Sequence, residues 1–344
     1  MAVSPVASPV AQAVRLRVGR TLRAMRRLPV LPSLLLALVV VTGITAPWIA
    51  PHSPTLGQLP DRNLPPAWSG PETTVKTVVE EVEVGRAHRQ ITLEKARELR
   101  PDAALGEGVE VVSRLGGSTK HLLGTDHLGR DLLSRIIHGA RISLIVAAVT
   151  LGIGGAIGTV LGLLAGWYGG WIDELIMRLV DLLLALPLIL VALVMVLVLG
   201  QTLSIIVVVL ALWIWPRFAR MVRGDVLTLK TMDYVALARV AGASTWRVLF
   251  VHLFPGTINT LIIVATLQVG TVILVEATLS FLGAGVPPPT PAWGSMVADG
   301  RDKLAAAWWI STMPGLAIVL TVMSLNLFGD WLRDTLDPKL RQVE

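Results

Sequence analysis

The chain has 344 residues, 53% of them hydrophobic and 16% charged, with a mean hydropathy of +0.67 and a formal charge of +6. About 20 apolar residues cross the hydrocarbon core as a helix, and six such runs occur: between Arg27 and His52, then 143–166, 182–199, 203–216 extended to about 222, 256–275 and 304–329. That pattern excludes a soluble enzyme and a single-pass receptor, and cysteine, being absent, marks no redox compartment.

Residues 1–51 read as a basic tail and the first span. Arg15, Arg17, Arg20, Arg23, Arg26 and Arg27 precede "VLPSLLLALVVVTGITAPWIA" with no acid among them. The apolar run is longer than a signal-peptide core and further spans follow it, so the reading is an uncleaved anchor. The Arg26-Arg27 pair then sets topology and is not a twin-arginine signal.

Residues 52–120 form an insertion that opens on a proline-rich linker, "PHSPTLGQLPDRNLPPAWSGP". The partial alternation of "TTVKTVVEEVEV" suggests a short strand, and "ITLEKARELRPD" has helical charge spacing and stops at Pro101. A small subdomain and a solvated loop both fit this composition. The core then runs over 121–344. In "HLLGTDHLGRDLLSRIIHGARISL" (121–144), Leu132, Leu133, Ile136 and Ile137 recur at helical spacing. That helix is expected to lie on the membrane surface, with the stems of Arg130, Arg135 and Arg141 on apolar surface and their heads in water.

Within "GWYGGWIDELIMRLVDLLLALP" (166–187), Arg178 and Asp181 share a helix face and are expected to pair, and Pro187 to bend the third span. Gly200-Gln201-Thr202 leaves room only for a tight turn. Glu276 sits inside the fifth span, where a carboxylate must be paired, protonated or wet, which makes it a translocation-path candidate. An interface-level glutamate held by backbone donors or a neighbouring helix is the alternative. A charged amphipathic tail, "LNLFGDWLRDTLDPKLRQVE", ends the chain.

The stretch "DYVALARVAGASTWRVLFVHLFP" (233–255) interrupts the spans. Asp233 is expected to cap a helix starting at Tyr234, and Gly242 to end it in the left-handed conformation. Ser244 should cap a second helix, 245–254, stopped by Pro255. Ala236, Ala238, Ala241 and Ala243 keep the surface small, and Arg239 and Arg247 place charge at its rim. An ordinary connection between helices needs fewer residues, so length and double capping favour docking of another protein.

Lysine and arginine set the orientation. Residues 216–255 carry Arg217, Arg220, Arg223, Lys230, Arg239 and Arg247 against Asp225 and Asp233, whereas 52–120 balances nine bases with ten acids. The basic segments, and with six spans both termini, are placed in the cytoplasm and the insertion outside. Basic character therefore reflects topology and implies no nucleic acid. There is no GxxxxGK[ST] and no HExxH, and the six histidines (His52, His88, His121, His127, His138, His252) are scattered, so no metal site is expected. A secondary transporter would need ion sites at midplane helix breaks, and an intramembrane enzyme would need paired catalytic groups at matched depth; neither has a counterpart here.

The 233–255 stretch resembles the EAA loop of binding-protein-dependent ABC importer permeases: EAA, three residues, Gly, nine residues, I-x-L-P. Gly242, Pro255 and Ala238 match, while Ala236, Leu237, His252 and Phe254 replace the motif residues. "GTDHLGRDLLSRIIHGARISL", "EATLSFLGAGVPPPTPAWGSM" and "NLFGDWLRDTLDPKLR" resemble, in order, the C-type permease subunit of dipeptide/oligopeptide importers. The resemblance implies an all-α, six-span bundle of the ABC type I importer kind in a bacterial or archaeal cell membrane. It also implies a related second permease, two cytoplasmic ATPases that bind ATP and Mg, and an external solute-binding protein. This chain would carry no cofactor and would be no enzyme. Asp233, Tyr234, Ala238, Arg239, Gly242, Ala243 and Ser244 would dock the ATPase. Nickel, glutathione or oligosaccharide are the alternative solutes.

Overall fold

The structure, a computed structural model, describes residues 29–82, 89–114 and 116–336. The six arginines of the basic tail, His88 and the last eight residues of the charged tail lie outside the described residues. The chain divides into two compact units, Ala50–Arg135 with Asp299–Met313, and Met1–Ile49 with Ile136–Ala298 and Pro314–Glu344.

The larger unit is helical. Its long elements are α1 (Val30–Ile49), α3 (Leu132–Tyr168), α4 (Gly170–Ala185), α5 (Leu188–Leu199), α6 (Leu203–Leu229), α7 (Asp233–Val240), α8 (Thr245–Phe281), α9 (Trp293–Arg301) and α11 (Trp309–Leu336). A single turn, α10 (Leu304–Ala307), precedes α11. Five helices (α1, α3, α6, α8 and α11) are long and apolar enough to cross a membrane. The pair α4 and α5, which meet at 87° across Leu186-Pro187, makes a sixth if the two together count as one broken span. Pro187 bends the span as expected, because it cannot donate to the preceding turn and forces Leu186 into an extended conformation. Backbone polar groups are satisfied inside each helix, which leaves apolar side chains such as Leu34, Leu197 and Val319 to face lipid.

Helix α6 is the centre of this unit. Ile206, Leu210 and Ile214 are buried with Val146, Val272, Ile273 and Leu325 in one apolar cluster. Against α6 packs a row of glycines on α3: Gly154, Gly158, Gly162 and Gly166. A Cβ on Gly162 would come within 2.6 Å of the Ala219 carbonyl oxygen, and one on Gly166 within 2.7 Å of Val226. The four-residue spacing brings the two backbones together, which is how helices gain contact where no water drives them together. Arg223 straps α6 to α4 through two 2.6 Å bonds to Asp173, and the Lys230 ammonium donates to the Gly166 carbonyl at 2.9 Å.

The smaller unit contains the only sheet among the described residues. Strand β1 (Glu72–Val79) pairs in parallel with β2 (Gln90–Thr92) and antiparallel with β3 (Gly108–Arg114), in the order β2-β1-β3. Helix α2 (Leu93–Leu99) covers it, and Val78, Ile91, Ala96, Ala103 and Val109 form a separate core. The described residues of the insertion thus form a sheet, a helix and an apolar core of their own. The strand of "TTVKTVV" and the helix of "LEKAREL" lie where the pattern put them; β3 adds a partner the alternation did not reveal.

Several expectations are corrected. Arg130 and Arg135 do not snorkel: both are buried on Asp126, Arg130 through a 2.7 Å bond from its Nε, and Asp299 lies 3.5 Å from Arg130. A buried carboxylate holds guanidinium groups more firmly than water at a membrane surface would. The helix expected in 121–144 leads straight into the second span, α3 running unbroken from Leu132 to Tyr168. Arg178 pairs with Glu174, four residues back at 2.5 Å, and Asp181 with Arg220 of α6. Both i+3 and i+4 neighbours share a face, and the longer spacing supplied the partner.

Candidate functional site

The 233–255 stretch forms an elbow. Helix α7 starts one residue earlier than expected, with Met232 at the cap position; Asp233 is already helical and its side chain caps nothing. Its carboxylate still lies in the first turn, where the helix dipole favours it. At the other end the Ala243 amide donates to the Ala238 carbonyl at 3.0 Å and the Gly242 amide to Arg239 at 3.0 Å. That closure needs a left-handed residue, and Gly242 has φ +79°. Ser244 then caps α8, its hydroxyl accepting from the Arg247 amide at 3.4 Å.

Pro255 does not end the second helix. Val248–Leu253 widens into a π-helical turn, in which the Phe254 amide reaches the Leu249 carbonyl, and α8 continues to Phe281. Proline removes a donor and crowds the carbonyl four residues back; a wider turn absorbs both effects without breaking the helix.

The elbow is anchored from below. Val235, Val248, Leu249 and Leu253 are buried with Leu163, Val222 and Val226, and Ala243 packs on the same cluster. Arg239 lies over the Trp167 ring, 4.2 Å from its centroid. Above this anchor the surface is apolar and bare. Val240 is 88% exposed, Leu237 67% and Trp246 63%, and Trp246 stacks on Phe250 with centroids 5.7 Å apart. Asp233, Tyr234, Gly242 and Ser244 are exposed beside them, while Ala238 is half-buried. The sequence reading singled out the small residues and passed over Leu237 and Val240. The signal was available, since an apolar residue on the polar face of a two-turn helix has nothing of its own chain to cover it.

Glu276 is fully buried in α8. One carboxylate oxygen accepts from the Ser280 hydroxyl at 2.7 Å and the other from the Ser143 hydroxyl of α3 at 3.4 Å. The Ser280 hydroxyl in turn accepts from the Val286 amide at 3.2 Å. A cavity of about 390 Å³ lies elsewhere in the unit, lined by Leu184, Arg217, Arg220, Leu267 and Gln268. Arg217 stacks on Trp213 at 3.6 Å, and its Nη1 and the Gln268 Nε2 are buried without a hydrogen-bond partner among the described residues. Neither residue was singled out in the sequence, where Arg217 counted only towards topology.

A helical unit with five or six apolar spans suits a membrane-embedded component, and the family comparison agrees. Residues 158–342 match the family described as "Binding-protein-dependent transport system inner membrane component", and the chain belongs to it. It is similar to the di/tripeptide transport system permease protein DppC of Pseudomonas aeruginosa, 44% identical over 66% of this chain and 75% of the relative. It is 48% identical to the dipeptide transport system permease protein DppC of Escherichia coli K12, over 66% of this chain and 76% of that one. The glutathione transport system permease protein GsiD of Pectobacterium atrosepticum is 46% identical over 66% of this chain and 75% of the relative. The chain is therefore a multi-pass membrane permease component of an ABC importer.

Proposed function

We propose that the chain forms half of an import path for short peptides and that its α7–α8 elbow is the seat of an ATP-hydrolysing partner. The observation that carries this reading is the elbow itself: a rigidly capped corner with buried roots and a bare apolar crest of Leu237, Val240 and Trp246. A patch of this kind exposed to water costs free energy until another protein covers it. Six bases in 216–255 favour the cytoplasmic side, which puts both termini there and the 52–120 insertion outside. Asp233, Tyr234, Ala238, Arg239, Gly242, Ala243 and Ser244 shape the seat. Coupling is then differential binding: closure of two ATPases around their nucleotide favours one permease conformation over the other, and the docked elbow transmits that preference.

A second, related permease completes the path and an external solute-binding protein delivers solute to it. Peptide is the favoured cargo because the dipeptide and di/tripeptide permeases are such near relatives. Glutathione is itself a tripeptide with free carboxylates, and Arg217 with Gln268 offers unpartnered donors to such a group. Glu276, held by two serines, serves to fix α3 against α8 along the path and does not touch solute.

The test is reconstitution with the partner permease, ATPases and binding protein in proteoliposomes. ATP-dependent uptake of labelled dipeptide, competed by other short peptides, supports the reading. Uptake driven by a proton or sodium gradient without ATPases refutes it, and uptake of glutathione alone reassigns the cargo.

A further inference from the structure

We propose that His52, His121 and Asp131 form a binding site for one divalent transition-metal ion in the Ala50–Arg135 unit. Their spacing in sequence matches no metal motif, and the fold corrects the impression of scattered histidines. Donor atoms from the three side chains lie within 4.8 Å of one another. The Asp131 Oδ1 is the shared node, 2.9 Å from the His121 Nδ1 and 3.8 Å from the His52 Nδ1. The rings face each other with centroids 4.8 Å apart.

Three observations point to a cation and not merely to a histidine–aspartate hydrogen bond. First, the His52 Nδ1 is buried and has no hydrogen-bond partner among the described residues. Second, His121 and Asp131 are both almost wholly buried, and the His121 Nε2, also without a hydrogen-bond partner, faces a second carboxylate, Asp61, at 3.6 Å. With a metal on Nδ1, the Nε2 carries its proton towards Asp61, the carboxylate–imidazole arrangement that orients metal-ligating histidines. Third, the other Asp131 oxygen is fixed from behind. It accepts from the Ser134 amide at 2.8 Å and the Ser134 hydroxyl at 2.7 Å, and that hydroxyl also accepts from the His52 amide at 3.0 Å. One serine thus ties the backbone of one ligand to the carboxylate of another.

The dimensions suit a small ion. Bonds of about 2.0–2.2 Å in a tetrahedral site separate neighbouring donors by roughly 3.3 Å. The observed 2.9 and 3.8 Å bracket that value, and with all donors already within 4.8 Å of one another a closure of up to about 1.5 Å completes the site. Two imidazole nitrogens and one carboxylate oxygen favour zinc, cobalt, nickel or copper over magnesium or calcium, which require oxygen ligands. The fourth position falls to water. Bound there, the ion joins the segment after α1, the turn at His121 and the start of α3.

The experiment uses the full chain in detergent, purified with a tag free of histidine and stripped with chelator, then titrated with zinc and cobalt. The expected result is about one zinc per chain by elemental analysis, a tetrahedral cobalt absorption that zinc abolishes, and a raised unfolding temperature with metal. His52→Gln, at the most exposed ligand, should keep the metal-free unfolding temperature yet lose the cobalt absorption and the metal-induced shift. Ser134→Ala should weaken zinc about 10- to 100-fold. Wild-type protein that retains no zinc at stoichiometric addition overturns the proposal. So does a His52→Gln chain that binds as the wild type does, or one in which His121→Gln also leaves binding unchanged.

Discussion

Replacing Leu237 and Val240 together with alanine separates docking from folding. Both side chains project from α7 into solvent, 67% and 88% exposed, so their loss removes little from the permease's own packing. Surface changes of this kind stay within about 0.5 kcal/mol. In a dock, each would bury most of a side chain worth about 1.5–3 kcal/mol when fully covered. Binding realises only part of such burial, because association and side-chain ordering oppose it. A combined loss of about 2 kcal/mol corresponds to roughly thirtyfold weaker ATPase retention. Detergent-solubilised transporter should therefore lose ATPase subunits on washing, and peptide-stimulated ATP hydrolysis should fall. The unfolding temperature of the permease alone should not move. Full ATPase retention by the double variant would refute the docking argument; a lowered unfolding temperature would show that the crest belongs to the fold.

Gly162→Ala should destabilise the helical unit by about 1–3 kcal/mol through overpacking on the Ala219 carbonyl. Gly152→Ala, on the same helix with nothing near its Cβ, should be neutral or gain up to about 1 kcal/mol of helix propensity, and equal melting of the two would contradict the glycine-row reading. Asp126→Asn should cost about 3 kcal/mol at neutral pH, because it leaves the buried Arg130 and Arg135 to share only the more distant Asp299 carboxylate. Burial works against the Asp126 charge, but Arg135, Arg130 and the Arg130 and Leu128 amides hold its carboxyl below the ordinary aspartate range. A folded value below the unfolded one stabilises fully above the unfolded value and is lost as pH falls through the folded one. Acid melting curves of the wild type should therefore drop below the ordinary aspartate range, and those of the asparagine variant should be flatter there. Arg217→Gln should raise the half-saturating peptide concentration for uptake while leaving ATPase retention intact; an unchanged value would remove Arg217 from the path.

Five spans were legible because apolar runs of membrane length have few readings, and Pro187 and Gly242 act locally, through a missing amide and a positive φ. What stayed hidden depends on which residues meet across the chain. Arg135 looked like a surface arginine because Asp126, nine residues earlier, is joined to it only by a turn. Pro255 looked like a stop because the rule for helix termination ignores the π-helical escape. Asp233 missed the cap by one residue, within the usual blur of helix ends. The glycine row of α3 was written plainly at four-residue intervals, but its meaning needs the partner helix. His52 and Asp131 are 79 positions apart, and no spacing rule links them.

The unbroken run of α8 makes one solid piece of the elbow and a buried carboxylate far from it. Its 37 residues span about 55 Å, with the elbow at one end. Val248, Leu249 and Leu253 pack near that end, and Val272, Ile273 and Leu279 pack near the other. No slack loop lies between the two packed regions. A push on the elbow would therefore be carried along the rod to the contact between Glu276 and Ser143 of α3.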